Sequence, residues 1–117
     1  MKKILSKTIV GMMLVVIAAT SGAVTSEAYS VTNGKYGFNK AWERSVTCDS
    51  GKGVLTYGYN TRAINEDYAH AYHSTKKHYA FLKNGKGSFS GPNKGKGSWS
   101  KIEVAHNGSS IIYGISY

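Results

Sequence analysis

Residues 110–117 alternate without a break. Ile111, Tyr113, Ile115 and Tyr117 fall on one side of an extended chain, and Ser110, Ile112, Gly114 and Ser116 on the other. A period of two marks a strand with one face in a core, and a helix cannot satisfy it. Residues 54–59 repeat the pattern, with Leu55, Tyr57 and Tyr59 opposite Val54, Thr56 and Gly58. Further strands are expected over 41–47, where Trp42 and Val46 share a face, over 77–83, and over 100–106, where Ile102 and Val104 oppose Lys101 and Glu103. Asp49-Ser50-Gly51 reads as a turn, and Asn84-Gly85 and Asn107-Gly108 read as hairpin turns. Residues 29–40, with Asn33-Gly34 and Gly37, read as a loosely ordered lead-in. The polar stretch 60–76 has no sustained apolar stripe. It reads as irregular, with at most one helical turn capped by Asn65. Short strands, Asn-Gly turns and a single proline predict an all-β fold, a small antiparallel β-sandwich of two sheets. Nine tyrosines suit it, because each can bury its ring and keep its hydroxyl wet.

The N-terminus carries a different signal. Lys2, Lys3 and Lys7 precede an apolar run over 9–19, and small residues follow. This is the layout of a secretory signal peptide, and the apolar run falls short of the ~20 residues of a membrane span. Ser21/Ala23 and Ser26/Ala28 offer two cleavage sites, of which the second is preferred. The expected organisation is a signal peptide over 1–28, an N-terminal extension over 29–50 and a β-sandwich domain over 51–117. Small exported domains often rely on disulfides. Here Cys48 is the only cysteine, so no intrachain bridge can form. The preferred reading is a small buried apolar residue rather than a thiol joining two copies.

The formal net charge is +9. Loss of the leader removes three lysines and leaves the chain strongly basic, which favours anionic partners. Export points that charge at the cell envelope rather than at nucleic acid. The cationic groups are densest between Tyr68 and Trp99. Three of the four histidines, His70, His73 and His78, lie there, followed by a glycine-studded lysine segment over 83–97. His70 and His73 stand three apart, yet no cysteine or carboxylate lies at a zinc spacing to complete a set. Glu66, His70 and His78 offer an acid and a base to a small secreted hydrolase, but nothing in their spacing demands one, and no enzyme and no cofactor is expected. Gly85-Lys86-Gly87-Ser88-Phe89-Ser90 is echoed by Gly95-Lys96-Gly97-Ser98-Trp99-Ser100. Two similar strand starts flanking a turn explain the echo better than a paired oxyanion cradle, and no P-loop is present.

Four blocks, taken in order, resemble the lactococcin-972-like bacteriocins: Gly53-Val54-Leu55-Thr56-Tyr57-Gly58-Tyr59, Tyr72-His73-Ser74-Thr75-Lys76-Lys77-His78, Gly97-Ser98-Trp99-Ser100-Lys101 and Ser110-Ile111-Ile112-Tyr113. The resemblance spans about residues 51–117. The chain departs from the family pattern at Leu55, where a tryptophan is usual, in a longer segment before His73, and over 29–50. The resemblance implies a secreted antibacterial polypeptide of a Gram-positive bacterium, folded as a β-sandwich. It implies binding to the wall precursor lipid II with a block of septum formation, a possible homodimer, and a cognate immunity membrane protein. The rival expectations are a non-toxic wall-binding or surface-interaction module and a small secreted hydrolase.

On physical grounds the ligand-binding candidates are His73, Lys76, Lys77, His78 and Lys101, with Tyr72 packing or stacking beside them. Lysines and imidazoles supply charge-assisted hydrogen bonds to a pyrophosphate. Trp99 is assigned to the core.

Overall fold

A computed structural model describes residues 27–117. Residues 1–26 of the expected signal peptide, and with them the cleavage site after Ala23, lie outside the described residues. Eight strands follow in order: β1 (Ala28–Thr32), β2 (Trp42–Cys48), β3 (Gly53–Asn60), β4 (Glu66–His73), β5 (Tyr79–Asn84), β6 (Gly87–Ser90), β7 (Trp99–Ala105) and β8 (Ile112–Ser116). They form two four-stranded sheets, ordered β1-β8-β5-β6 and β2-β3-β4-β7, and every pairing is antiparallel. The protein is a small β-sandwich.

The alternating stretches account for the core. Leu55, Tyr57, Ala69 and Ala71 of the second sheet face Ala80, Leu82, Ile111, Tyr113, Ile115 and Tyr117 from the first. The sheets meet through inward residues of both, as the period-two pattern requires. Trp42 sets its ring edge-on to Tyr57 and Tyr113. Cys48 is buried within this cluster, as expected. Burial first, then the nearby Asp49 and Glu27 charges, push its thiol up to about 11, against the hydrogen bond it shares with Tyr117. Such a thiol stays protonated and unreactive at neutral pH.

Three sequence expectations are corrected. Residues 29–40 are not all a loose lead-in, because β1 pairs with β8 and leans Tyr29 and Val31 on the core. Residues 29–50 thus supply one strand to each sheet. Residues 60–76 are not irregular, because β4 occupies a central place between β3 and β7. Its inward positions are Asp67, Ala69, Ala71 and His73, all buried. Two alanines between two buried polar groups carry no apolar signature. The third correction concerns Asn107-Gly108, which does not close a hairpin. β7 and β8 belong to different sheets, and the turn carries the chain across. It docks on the other Asn-Gly turn, where Gly85 N donates to Asn107 O at 2.9 Å. A Cβ on Gly85 would lie 2.0 Å from Asn107 Oδ1 and 3.2 Å from the Asn107 carbonyl carbon, so a larger residue there would push the Asn107 side chain aside. Asn84-Gly85 does form the expected hairpin, joining β5 to β6.

Candidate functional site

Antiparallel pairing brings the turn 49–52, the β4–β5 loop 74–78 and the β6–β7 loop 91–98 to the same end of the sandwich. Backbone bonds tie them together. Ser74 N donates to Lys52 O at 2.9 Å, Gly97 N to His73 O at 2.8 Å, and His78 and Lys94 exchange both bonds of a bridge at 3.0 and 2.9 Å. Asp49 and Ser50 take positive φ values of 51° and 56°, the left-handed geometry of a tight hairpin turn. This places the Asp49 carboxylate against β4.

The two histidines of this end are interior. His73 and His78 are both 0% exposed. His73 Nε2 donates to Asp49 Oδ2 at 2.8 Å, while its Nδ1 accepts from the backbone N–H groups of Thr75 and Lys76 at 3.1 and 3.0 Å. Two donors facing Nδ1 fix the tautomer with the proton on Nε2. His78 sets Nδ1 2.9 Å from Lys76 O and Nε2 2.7 Å from Ser98 O. A neutral ring donates to only one of these carbonyls, and the imidazolium donates to both. Ser100, also buried, donates its hydroxyl to Pro92 O at 2.6 Å and accepts from Ala80 N at 3.0 Å. His73, His78 and Ser100 therefore shape the loops from within.

What the loops present to solvent is cationic. Lys52, Lys76, Lys77, Lys94 and Lys96 are all exposed, and Asp49 is the one carboxylate within the three loops. Lys76 Nζ lies 3.6 Å from Asp49 Oδ2 and 5.4 Å from the centre of the Tyr117 ring. Burial works to raise the Asp49 carboxyl, but the His73 hydrogen bond and the Lys76 and Lys52 ammoniums outweigh it and hold it below its ordinary value.

The sequence candidates thus separate. Lys76 and Lys77 stand on the cationic end. His73 and His78 do not reach solvent, so they position its loops and are not contacts; this corrects their assignment as ligand-binding groups. Tyr72 and Lys101 lie on the outer face of the second sheet, Tyr72 half-buried and Lys101 exposed. Trp99 is not in the core: it is 39% exposed, beside Tyr72. Sequence reading missed Lys52, Lys94 and Lys96. Part of their signal lay in the Gly-Lys echo, whose halves the fold separates. Residues 85–87 turn at the far end, whereas 94–97 belong to the cationic end.

Glu66, His70 and His78 are not brought together. His70 lies 3.1 Å from Glu103 on the outer face, and His78 is inside. Among the described residues, no group of three or more His, Cys, Asp or Glu side chains is placed to hold a metal ion. At the far end, buried Asp67 accepts from His106 Nδ1 at 2.8 Å and from Asn84 Nδ2 at 3.1 Å. The His106 ring packs on Phe38, with centroids 4.3 Å apart.

No family model, curated protein or solved structure matches the chain.

Proposed function

We propose that this protein is a secreted antibacterial polypeptide that binds an anionic cell-wall precursor, lipid II, on Gram-positive cells and blocks septum formation. The observation that carries the reading is the group of exposed lysines on three hydrogen-bonded loops around one partly neutralised carboxylate. A diphosphate gains charge-assisted bonds from these lysines, and the backbone bonds between the loops spare it the cost of ordering the loops themselves. The resemblance of residues 51–117 to lactococcin-972-like bacteriocins supports the same target and adds a homodimer and a dedicated immunity membrane protein as partners.

The test uses the purified secreted form. It binds vesicles doped with lipid II, and the affinity falls as salt rises, because exposed charge contacts are screened. Lys76→Ala with Lys77→Ala leaves the fold intact, since surface changes cost less than ~0.5 kcal/mol. It weakens binding and flattens the salt dependence. Sensitive cells treated with the unmodified protein stop growing and show septal defects. A folded double variant that binds as the parent does refutes the lysine site. Binding without growth inhibition favours a non-toxic wall-binding module.

A further inference from the structure

The outer face of the second sheet carries a second surface. Register sets its rows. Val54, Tyr72 and Trp99 align across β3, β4 and β7, and Thr56, His70 and Lys101 form the row below. Ser45 extends that second row, its hydroxyl 2.7 Å from Thr56 Oγ1. Trp99 and Tyr72 set their rings 5.3 Å apart at 42°. Among the described residues, Trp99 and Ile64 are the exposed large hydrophobic side chains, and Ile64 sits apart in the β3–β4 loop. Inward burial was open to Trp99 by a one-residue slip, which turns every side chain of a strand to the other face. Instead the adjacent Ser100 points inward and bonds both Ala80 and Pro92.

A pair of abutting rings on a rigid sheet, flanked by hydroxyls, an imidazole and an ammonium, matches the chemistry of a sugar. A pyranose offers an apolar C–H face to a ring and a polar rim to its neighbours. The two rings are far too small for a stable protein interface, which needs about 800 Å² per partner. Charges of both signs share the face, Lys101 in the next row and Glu103 in the row beyond. The rings adjoin the cationic end directly. Tyr72 precedes His73, and Trp99 follows Ser98, whose carbonyl His78 holds at 2.7 Å.

We propose that Tyr72 and Trp99 form a sugar subsite, on which an N-acetylhexosamine ring stacks while phosphates attached to it face the loop lysines. This deepens the proposed function and rests on it for the phosphate half alone. Lys101 and the His70–Glu103 pair meet the hydroxyl and N-acetyl groups at the ring's edge.

Three probes separate the parts: N,N′,N″,N‴-tetraacetylchitotetraose carries sugar alone, inorganic pyrophosphate carries anion alone, and UDP-N-acetylglucosamine carries both. The readout is the two indole N–H resonances. Trp42 is held by Gly37 O at 2.9 Å and serves as the internal control. Chitotetraose shifts the Trp99 signal and leaves Trp42 in place. Trp99→Ala, folded by circular dichroism, weakens chitotetraose binding about tenfold, the equivalent of one stacking contact, and leaves pyrophosphate binding unchanged. Lys76→Ala with Lys77→Ala does the reverse. If chitotetraose shifts Trp99 while pyrophosphate binds nowhere, the subsite stands and the anion reading falls. If chitotetraose shifts neither indole, or Trp99→Ala binds it as the parent does, the subsite is wrong. Trp99 shifts produced by phosphatidylglycerol vesicles and by no sugar probe overturn it in favour of membrane contact.

Discussion

His73 donates to Asp49 across the turn between β2 and β3, at 2.8 Å and with its own ring fully buried. The His73 hydrogen bond and the nearby Lys76 and Lys52 ammoniums hold the Asp49 carboxyl down against the opposing effect of burial. Its folded value lies below the ordinary ~3.9 of an aspartate. A depressed carboxyl contributes stability that is full above the ordinary value and is lost as pH falls through the folded one. Nuclear magnetic resonance titration will therefore find Asp49 among the last carboxyls to protonate. Protonation of Asp49 in that acid window will loosen the 49–52 turn. Asp49→Asn removes this step from the acid unfolding profile.

The interior position of His78 makes a different prediction. His78→Ala removes the ring that faces Lys76 O and Ser98 O, takes the donor from at least one of them, and leaves a void beneath the loops. Unpaired buried groups and cavities of this size cost on the order of 3 kcal/mol together. Urea denaturation will show that loss of stability. Anion binding will fall only as far as loops 74–78 and 91–98 lose order, seen as faster amide exchange there. A fully stable His78→Ala that has lost binding would make the ring a contact after all.

Ile111 is 0% exposed, and its backbone N–H donates to Asn33 Oδ1 at 3.1 Å. Ile111→Asp places an unpaired carboxylate among Leu55, Tyr113 and their neighbours, a cost comparable with the whole stability of a small domain. The variant will be unfolded by circular dichroism, whereas Ser110→Asp, exposed next door, will fold.

Export cleavage is constrained by the first strand. Glu27 and Tyr117 exchange both backbone bonds at 2.8 Å, and Ala28 pairs with Ser116. Cutting after Ala28 removes both residues and exposes the end of β8. Cutting after Ala23 keeps them. The sequence prefers the cut after Ala28, whereas the pairing of Glu27 and Ala28 argues for Ala23; N-terminal sequencing of exported protein decides, a start at Tyr29 upholding the first and a start at Val24 the second.

β2, β3, β5, β7 and β8 were legible in the sequence, and β3 and β8 most plainly, because their inward residues are large and apolar. β4 was hidden because it packs by closeness rather than bulk: Ala69 and Ala71 lie inside, and Asp67 and His73 are buried through specific partners. Trp99 and Ser100 invert the usual preference. The ring is outside and the hydroxyl inside, because two loop and strand groups need that hydroxyl. Hydrophobicity alone assigns the pair backwards. The lysine density of the candidate site was readable, but its division into outer cations and inner histidines depends on contacts between loops distant in sequence.

β8 lies between β1 and β5, so the first sheet is held together by the last strand of the described chain. Until 112–116 are available, β1 has no neighbour and β5 has only the short β6. Contacts so remote in sequence form late and slowly. A chain that emerges from its N-terminus can pair the second sheet through β7, but the first sheet stays in two pieces until β8 is present. The sandwich closes only when that final strand joins β1 to β5.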